Sequence, residues 1–292
     1  MSRLKVTTLT PTIGAVLENV DLSKAPDDEV IAEIRAALLK HRVIFFVDQH
    51  ITPTQHRDFA ARFGSLHTHP LYPGVPEAQE LFILDNHANN PTDNDAWHTD
   101  VTFIETPPLG AILYAKQLPA EGGDTLWCNM RAAYEALSPA MRDFLSGLDA
   151  VHDFARGFPA KRTVAQAAGA DRYAKALQEN PPVVHPVIRT HPETGEDSLF
   201  VNYGFTERIK GLRRGESDAI LAMLFDHIKK PEFQVRWRWR ENAIAFWDNR
   251  ITQHYAVNDY LPNRRIMHRA TILGDKPYHR SRMSRETKAA AE

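Results

Sequence analysis

The sequence has little cysteine and no long apolar run, and its positive and negative charges nearly cancel. Its one cysteine, Cys128, cannot form an intramolecular disulfide, which favours a reducing compartment, and we expect the cytoplasm. No stretch approaches about 18 uninterrupted apolar residues, and the N-terminus lacks the apolar core of a signal peptide, so no membrane association is expected. The balance of 35 Lys and Arg against 37 Asp and Glu argues against a nucleic-acid-binding protein.

Three common nucleotide-binding and catalytic motifs are missing from the chain. There is no GxGxxG, no GxxxxGK[ST] and no GxSxG, so neither a dinucleotide site, a P-loop nor a hydrolase nucleophile elbow is supported. No internal repeat or low-complexity linker is present, and 43% apolar with 25% charged residues is typical of globular proteins. We therefore predict a single domain over residues 1–280 and a flexible tail over residues 281–292.

Strand signals outnumber helix signals along the chain. Apolar residues alternate with Gln and Arg over residues 233–240, which is typical of a strand with one buried face. A helix start is predicted at Thr52, because Pro53 takes the first helical position and Gln55 follows three residues after the cap. Further strands are predicted near 43–47, 80–85, 110–116, 124–128, 243–247 and 266–273. The predicted fold class is β-rich α+β, a β core flanked by helices, because regular βαβ alternation is missing.

The first candidate site is a His-x-Asp triplet. In extended backbone, residues i and i+2 project to the same face roughly 6.5–7 Å apart, so His98 and Asp100 can converge on one metal ion. With a distant histidine such a pair forms the 2-His-1-carboxylate triad of non-haem Fe(II) oxygenases, and His254 is the candidate. Two alternatives stay open here: the His-x-Asp pattern arises by chance in many proteins, and the His-x-His pair at 67–69 is a second possible chelator.

Two arginines lie on one face of the last predicted strand. Arg265 and Arg269 are four residues apart, so in a strand they point the same way, while His268 points the other way. Buried guanidinium groups are costly unless anions neutralise them, and their planar donor fork suits carboxylate or sulfonate oxygens. An inward orientation therefore predicts two anions in one cavity near the metal. The alternative is a pair of solvent-exposed surface arginines.

Five blocks of the sequence together point to one family. They are WHTDVTF (97–103), GGDTLW (122–127), WDNR (247–250), QHY (253–255) and RRIMHRATILGDKP (264–277). In this order they resemble the taurine dioxygenase family of Fe(II)/2-oxoglutarate-dependent oxygenases, and the likeness covers nearly the whole chain. The resemblance implies a double-stranded β-helix (jelly-roll, cupin-like) core, one Fe(II), and 2-oxoglutarate and O₂ as co-substrates. It also implies a homo-oligomer, a dimer or a tetramer.

The same resemblance implies a role for individual positions of the site. The implied metal ligands are His98, Asp100 and His254. Arg265, helped by the Thr125 hydroxyl, is the implied partner of the distal carboxylate of 2-oxoglutarate. In the implied substrate pocket, His69 and Arg269 clamp the sulfonate, and Tyr72, Asp93 and Asn94 receive the amine. Val101 is the implied backbone donor, and Phe158 and Phe205 are the implied aromatic walls. No catalytic side chain is implied beyond the iron centre.

The implied reaction is hydroxylation of taurine at the carbon bearing the sulfonate. It releases sulfite and aminoacetaldehyde, while 2-oxoglutarate becomes succinate and CO₂. The same chemistry on another alkanesulfonate, an alkyl sulfate ester or an aryloxyacetate is the alternative. A further alternative is a catalytically inactive jelly-roll ligand-binding protein, which we would expect to have lost one of His98, Asp100, His254 and Arg265. All four are present.

Overall fold

The computed structural model of the protein describes residues 3–68, 74–92, 94–163 and 169–280. The predicted tail at 281–292 lies outside these ranges, so the tail and the limits of the domain stay predictions. Within the described part of the chain, no helix combines the length and the apolar character that crossing a membrane requires.

Helices and strands are both present, which confirms the predicted mixture of the two. The helices are α1 (Asp28–His41), α2 (Pro53–Ala61), α3 (Met130–Glu135), α4 (Pro139–Ser146), α5 (Phe154–Gly157), α6 (Ala160–Thr163), α7 (Gly169–Glu179) and α8 (Arg214–His227). The strands are β1 (Lys5–Thr8), β2 (Ala15–Glu18), β3 (Val43–Phe46), β4 (Gly74–Val75), β5 (Ala78–Asn86), β6 (Gly110–Gln117), β7 (Thr125–Asn129), β8 (Asp149–His152), β9 (Val183–Pro186), β10 (Ile188–Thr190), β11 (Asp197–Leu199), β12 (Thr206–Ile209), β13 (Gln234–Trp237), β14 (Ile244–Asp248), β15 (Thr252–Ala256) and β16 (Arg265–Ile272).

An eight-stranded sheet dominates the architecture. Its strand order is β1-β2-β3-β14-β6-β16-β5-β4, and its pairs are antiparallel except for β2 with β3. A second sheet of three antiparallel strands has the order β13-β7-β15. Neighbours in the sheets are often distant in sequence, so residues from both halves of the chain meet in one core.

The middle of the large sheet is buried on both faces, which explains why the sequence of β3 is uninterruptedly apolar. Ile44 and Phe46 belong to the core that includes residues of α1 and α2. Val43 and Phe45 point the other way, into the core shared with Trp127 of the three-stranded sheet. A strand covered on both sides needs apolar residues at consecutive positions instead of alternate ones.

The predicted helix start at Thr52 is confirmed. The Thr52 hydroxyl oxygen accepts the Gln55 backbone N–H at 3.2 Å, and Gln55 Oε1 accepts the Thr52 N–H at 2.8 Å. Both donors belong to the first turn of α2, where no helical carbonyl is available to them, so this reciprocal pair fixes where the helix begins.

Strand β13 is shorter than the alternation over 233–240 predicts. It ends at Trp237, which pairs with Thr125, the first residue of β7. Because β7 starts there, residues after Trp237 find no partner in this ladder. Trp239 is nevertheless buried, and its indole N–H donates to the Thr125 hydroxyl at 2.9 Å.

A buried histidine makes the fold sensitive to acid. His56 of α2 is fully buried, with Nε2 3.2 Å from the Ile112 carbonyl, and burial lowers its pKa from 6.5 to about 3. The folded state therefore resists protonation that the unfolded chain accepts, so stability is full above pH 6.5 and falls as the pH drops towards 3.

We expect His56 to contribute a loss of about 1.4 kcal/mol per pH unit over most of this range. In urea unfolding at several pH values, His56→Gln should flatten the dependence of the unfolding free energy on pH. The same substitution at the exposed His50 should leave the slope unchanged. Equal slopes for His56→Gln and the wild type would show that the assignment is wrong.

Candidate functional site

Three buried side chains with metal-binding atoms meet at one point. His98 and Asp100 lie on the loop between β5 and β6, and His254 lies on β15. One ligand atom from each lies within 4.8 Å of the others, and Nε2 of each histidine lies 3.6 Å from Asp100 Oδ1. The structure thus brings the three predicted ligands together from distant parts of the chain.

Both imidazoles direct Nε2 at the Asp100 carboxylate. The His98 ring is oriented by the backbone, because its Nδ1 lies 2.7 Å from the Ala96 carbonyl oxygen, which can only accept a hydrogen bond. Burial lowers the pKa of His254, which favours its neutral form. Nε2 is therefore the nitrogen that each ring turns towards the metal-binding point.

Asp100 supplies the negative charge of the cluster. Burial works to raise its pKa, but its charged surroundings, above all the Arg269 guanidinium, outweigh burial and hold the pKa below its ordinary value. Two neutral imidazoles with one carboxylate form the donor set that non-haem Fe(II) oxygenases use, so these residues fit a ferrous ion.

Arg269 lies beside this cluster in an aromatic slot. Its guanidinium pairs with Asp100 and lies 5.0 Å from the Trp247 ring centroid and 5.5 Å from that of Phe82. Within the described chain its buried Nε has no hydrogen-bond partner. The cation therefore keeps donor capacity for a second anion next to the metal-binding point.

Arg265 is a buried cation that lacks an ion-pair partner among the described residues. Its side chain is almost fully buried, its Nε has no hydrogen-bond partner there, and its guanidinium lies 5.8 Å from the Trp239 ring centroid. Burial lowers its pKa to about 10. Such a charge is costly in the folded state unless an anion neutralises it, and none of the described residues forms an ion pair with it.

Thr125 adds an oriented hydroxyl to this second anion site. Its oxygen already accepts the indole N–H of Trp239, so the hydroxyl hydrogen can be donated to a ligand. One small cavity is lined by Arg265 and Thr125 together with His254 and Arg269. A ligand with two anionic ends can therefore reach from Arg265 to the metal-binding point.

Two further cavities adjoin the cluster. The inner one, about 40 Å³, is lined by Asp100 and Arg269 among others. The outer cleft, about 440 Å³, is lined by Arg156 and Tyr203 among others. Both are also lined by Asn94, His98, Phe158 and Phe205. The inner cavity suits a compact head group, and the outer cleft leaves room for a longer tail.

The remaining predicted pocket residues divide into two groups. Asn94, Val101, Phe158 and Phe205 all line the inner cavity, and Val101 has a left-handed backbone with φ of 53°. Three other predictions lie outside the described residues, namely His69, Tyr72 and Asp93. Their roles stay predictions.

Several residues around the site were not predicted. Phe82 and Trp247 form the slot for Arg269, and Trp239 holds the Thr125 hydroxyl. Trp247 lies in the WDNR block, which was a possible signal, and the alternation over 233–240 predicts only a buried strand position for Trp239.

Comparison with known proteins gives a consistent result. Residues 5–271 match the model of the family described as "Taurine catabolism dioxygenase TauD, TfdA family". The chain is 38% identical to an alpha-ketoglutarate-dependent sulfate ester dioxygenase of Pseudomonas putida, over 91% of this chain and 88% of that protein. It is 36% identical to an alkylsulfatase of Acinetobacter baylyi, over 94% and 86%. A solved taurine dioxygenase of Burkholderia xenovorans superposes with a TM-score of 0.82 at 38% identity, covering 95% of this chain and 92% of that one.

Proposed function

The chain belongs to the TauD, TfdA family of taurine catabolism dioxygenases, and from that premise we propose that it hydroxylates the carbon carrying the sulfonate or sulfate group of a small organic anion, using Fe(II), 2-oxoglutarate and O₂. The observation that supports this most strongly is the pairing of one His-Asp-His cluster with two buried guanidinium groups, Arg265 and Arg269. One cation serves the co-substrate and the other serves the substrate.

His98, Asp100 and His254 would hold the ferrous ion. The bound iron supplies O₂ activation, coupled to oxidation of 2-oxoglutarate to succinate and CO₂. The side chains of the protein position the co-substrate and the substrate. Arg265 and the Thr125 hydroxyl bind the distal carboxylate of 2-oxoglutarate, which leaves the oxoacid end at the metal.

Arg269 binds the anionic head of the substrate. Arg269 lines the inner cavity together with Asp100, so the carbon attached to a head group bound there would lie next to the metal-binding point. Once that carbon carries a hydroxyl group, a sulfonate leaves as sulfite and the carbon becomes an aldehyde. A sulfate ester collapses in the same way, with sulfate as the leaving group.

Taurine is the first candidate substrate. Its sulfonate would occupy the inner cavity, and its amine would meet the polar side chain of Asn94, with Tyr72 and Asp93 as the other proposed partners. A longer alkanesulfonate or alkyl sulfate is the second candidate. The outer cleft of about 440 Å³ favours it, since Phe158 and Phe205 would cover an apolar tail.

The fold and assembly of the proposed enzyme follow from the same reasoning. We infer that the large sheet and the β13-β7-β15 sheet form the two faces of a double-stranded β-helix, because a shared core joins them. A cytoplasmic homo-oligomer remains part of the proposal.

A substrate panel tests the proposed function. With Fe(II) and 2-oxoglutarate under air, we expect one succinate for each sulfite released from taurine or butanesulfonate, or for each sulfate released from dodecyl sulfate. An aryloxyacetate serves as the carboxylate substrate without sulfur. Taurine as the best substrate would support the amine site, whereas faster turnover of the longer anions would support the outer cleft. Succinate formation that no anion stimulates would contradict the proposal.

A further inference from the structure

The segment that carries two of the three metal-binding residues is not part of a regular strand. Residues 97–103 form turns and an isolated bridge, and the residue after Asp100, Val101, has a φ of 53°. A β-branched residue rarely adopts this left-handed conformation, so surrounding contacts must hold the backbone there. What holds Asp100 in place is therefore a question that the local sequence leaves open.

Each residue of the His-Thr-Asp segment is attached to the stretch 249–254. His98 and His254 exchange two backbone hydrogen bonds, at 3.1 and 2.8 Å. The Thr99 hydroxyl donates to the Thr252 carbonyl at 2.9 Å. Asp100 differs from these two residues, because its backbone groups bond to a side chain of this stretch and not to its backbone.

That side chain is Asn249. Its Oδ1 accepts the Asp100 backbone N–H at 2.9 Å, and its Nδ2 donates to the Asp100 carbonyl at 3.1 Å and to the Pro108 carbonyl at 3.2 Å. Asn249 is 1% exposed, and its own N–H donates to the Leu109 carbonyl at 2.9 Å. One buried amide thus satisfies both backbone polar groups of the residue that carries the carboxylate.

The turn that presents Asn249 is itself rigid. Asp248 is fully buried, accepts three hydrogen bonds from the Arg250 backbone and guanidinium, and lies 2.9 Å from His191 Nε2. The Thr252 hydroxyl donates to the Asp248 carbonyl at 2.8 Å. Asn249 therefore acts as a fixed reference for the Asp100 backbone.

We propose that Asn249 is a positioning residue that sets the metal affinity of the site by fixing the backbone of Asp100. The inference rests on the proposed function only in taking His98, Asp100 and His254 as metal ligands. An amide is required because a carboxylate of the same shape would keep the bond to the Asp100 N–H but would face two carbonyl oxygens without a proton to donate. The lost donation shifts the backbone that carries the carboxylate.

Metal titration of Asn249→Asp tests this without any turnover. We expect the dissociation constant for Mn(II), used as a stable stand-in for Fe(II) and followed by its electron paramagnetic resonance signal, to rise about 10–100-fold. The bound-state spectrum should also broaden or shift, because the carboxylate is displaced. Asn249→Ser, which is too short to make all three bonds, should give a smaller change of the same sign and serves if Asn249→Asp does not fold.

Gln49 offers a matched control far from the site in sequence. Its buried amide makes the same set of bonds: Oε1 accepts the Leu22 N–H at 2.8 Å, and Nε2 donates to the Val20 and Val47 carbonyls at 3.1 and 2.8 Å. Gln49→Glu should lower the melting temperature but leave Mn(II) affinity within about twofold of wild type. Unchanged affinity in both Asn249 variants would overturn the proposal, whereas a wild-type protein that binds no Mn(II) would overturn the metal site itself.

Discussion

Replacing Arg265 by methionine is expected to raise the KM for 2-oxoglutarate about 100-fold or more, while making the ligand-free protein more stable. Loss of a buried charged partner typically costs 2–5 kcal/mol of binding, and about 2.7 kcal/mol corresponds to 100-fold. The opposite effect on stability arises because the Arg265 charge is buried without an ion-pair partner among the described residues. Methionine fills similar apolar space without that charge, so we expect a gain of about 1 kcal/mol.

Measuring both quantities separates this role from a purely structural one. Arg264→Met is the matched control, since Arg264 is the exposed neighbour and its guanidinium donates to Asp85 at 2.8 and 2.6 Å. That variant should keep the wild-type KM in the succinate assay. If Arg265→Met bound 2-oxoglutarate normally, or lost stability without losing affinity, the anion-site interpretation of Arg265 would be wrong.

Replacing His254 by alanine is expected to abolish coupled turnover, lowering kcat by about 1,000-fold or more. A catalytic metal ion typically lowers the activation free energy by several kcal/mol, and each 1.4 kcal/mol corresponds to a factor of ten in rate. With His254 removed, His98 and Asp100 hold the ion from one short segment only. Metal affinity should therefore fall together with turnover.

Metal binding and turnover are best measured on the same preparations. His268→Ala is the control, because His268 lies between Arg265 and Arg269 on β16 but takes the opposite face of the sheet, where it pairs with Ile83 and Tyr114. It should retain wild-type Mn(II) affinity and wild-type kcat. A His254→Ala protein that still couples succinate formation to sulfite release would contradict the proposed metal ligand.

The alternation along β16 shows what local sequence can predict. The side chains at 265, 267 and 269 are buried and those at 266 and 268 are half-buried, as the two-residue period of a strand requires. That period is a property of the backbone, so it could be predicted without knowing the fold. Whether the arginine face points inward was left open, because it depends on Phe82, Trp239 and Trp247, which come from other parts of the chain.

The limits of sequence reasoning are clearest around the metal cluster. The residue types at 98, 100 and 254 predicted the chemistry, since imidazole and carboxylate are what Fe(II) binds. The role of Asn249 could not be predicted, because its side chain bonds to the backbone of Asp100, and a pattern of side-chain types does not reveal contacts with the backbone. The size of the outer cleft could not be predicted either, because segments distant in sequence line it together.

By itself, then, the sequence determined which side chains could do the chemistry and that the two arginines share one face of β16. Those properties depend on neighbours within a few residues, where backbone geometry is regular. Only the tertiary structure decided that His98 meets His254, that two guanidinium groups are buried beside them, and that one amide holds Asp100. Such contacts depend on which strands pair with each other, and strand pairing is selected by the burial of apolar residues across both sheets. The spacing of residues within a short segment holds no information on that selection.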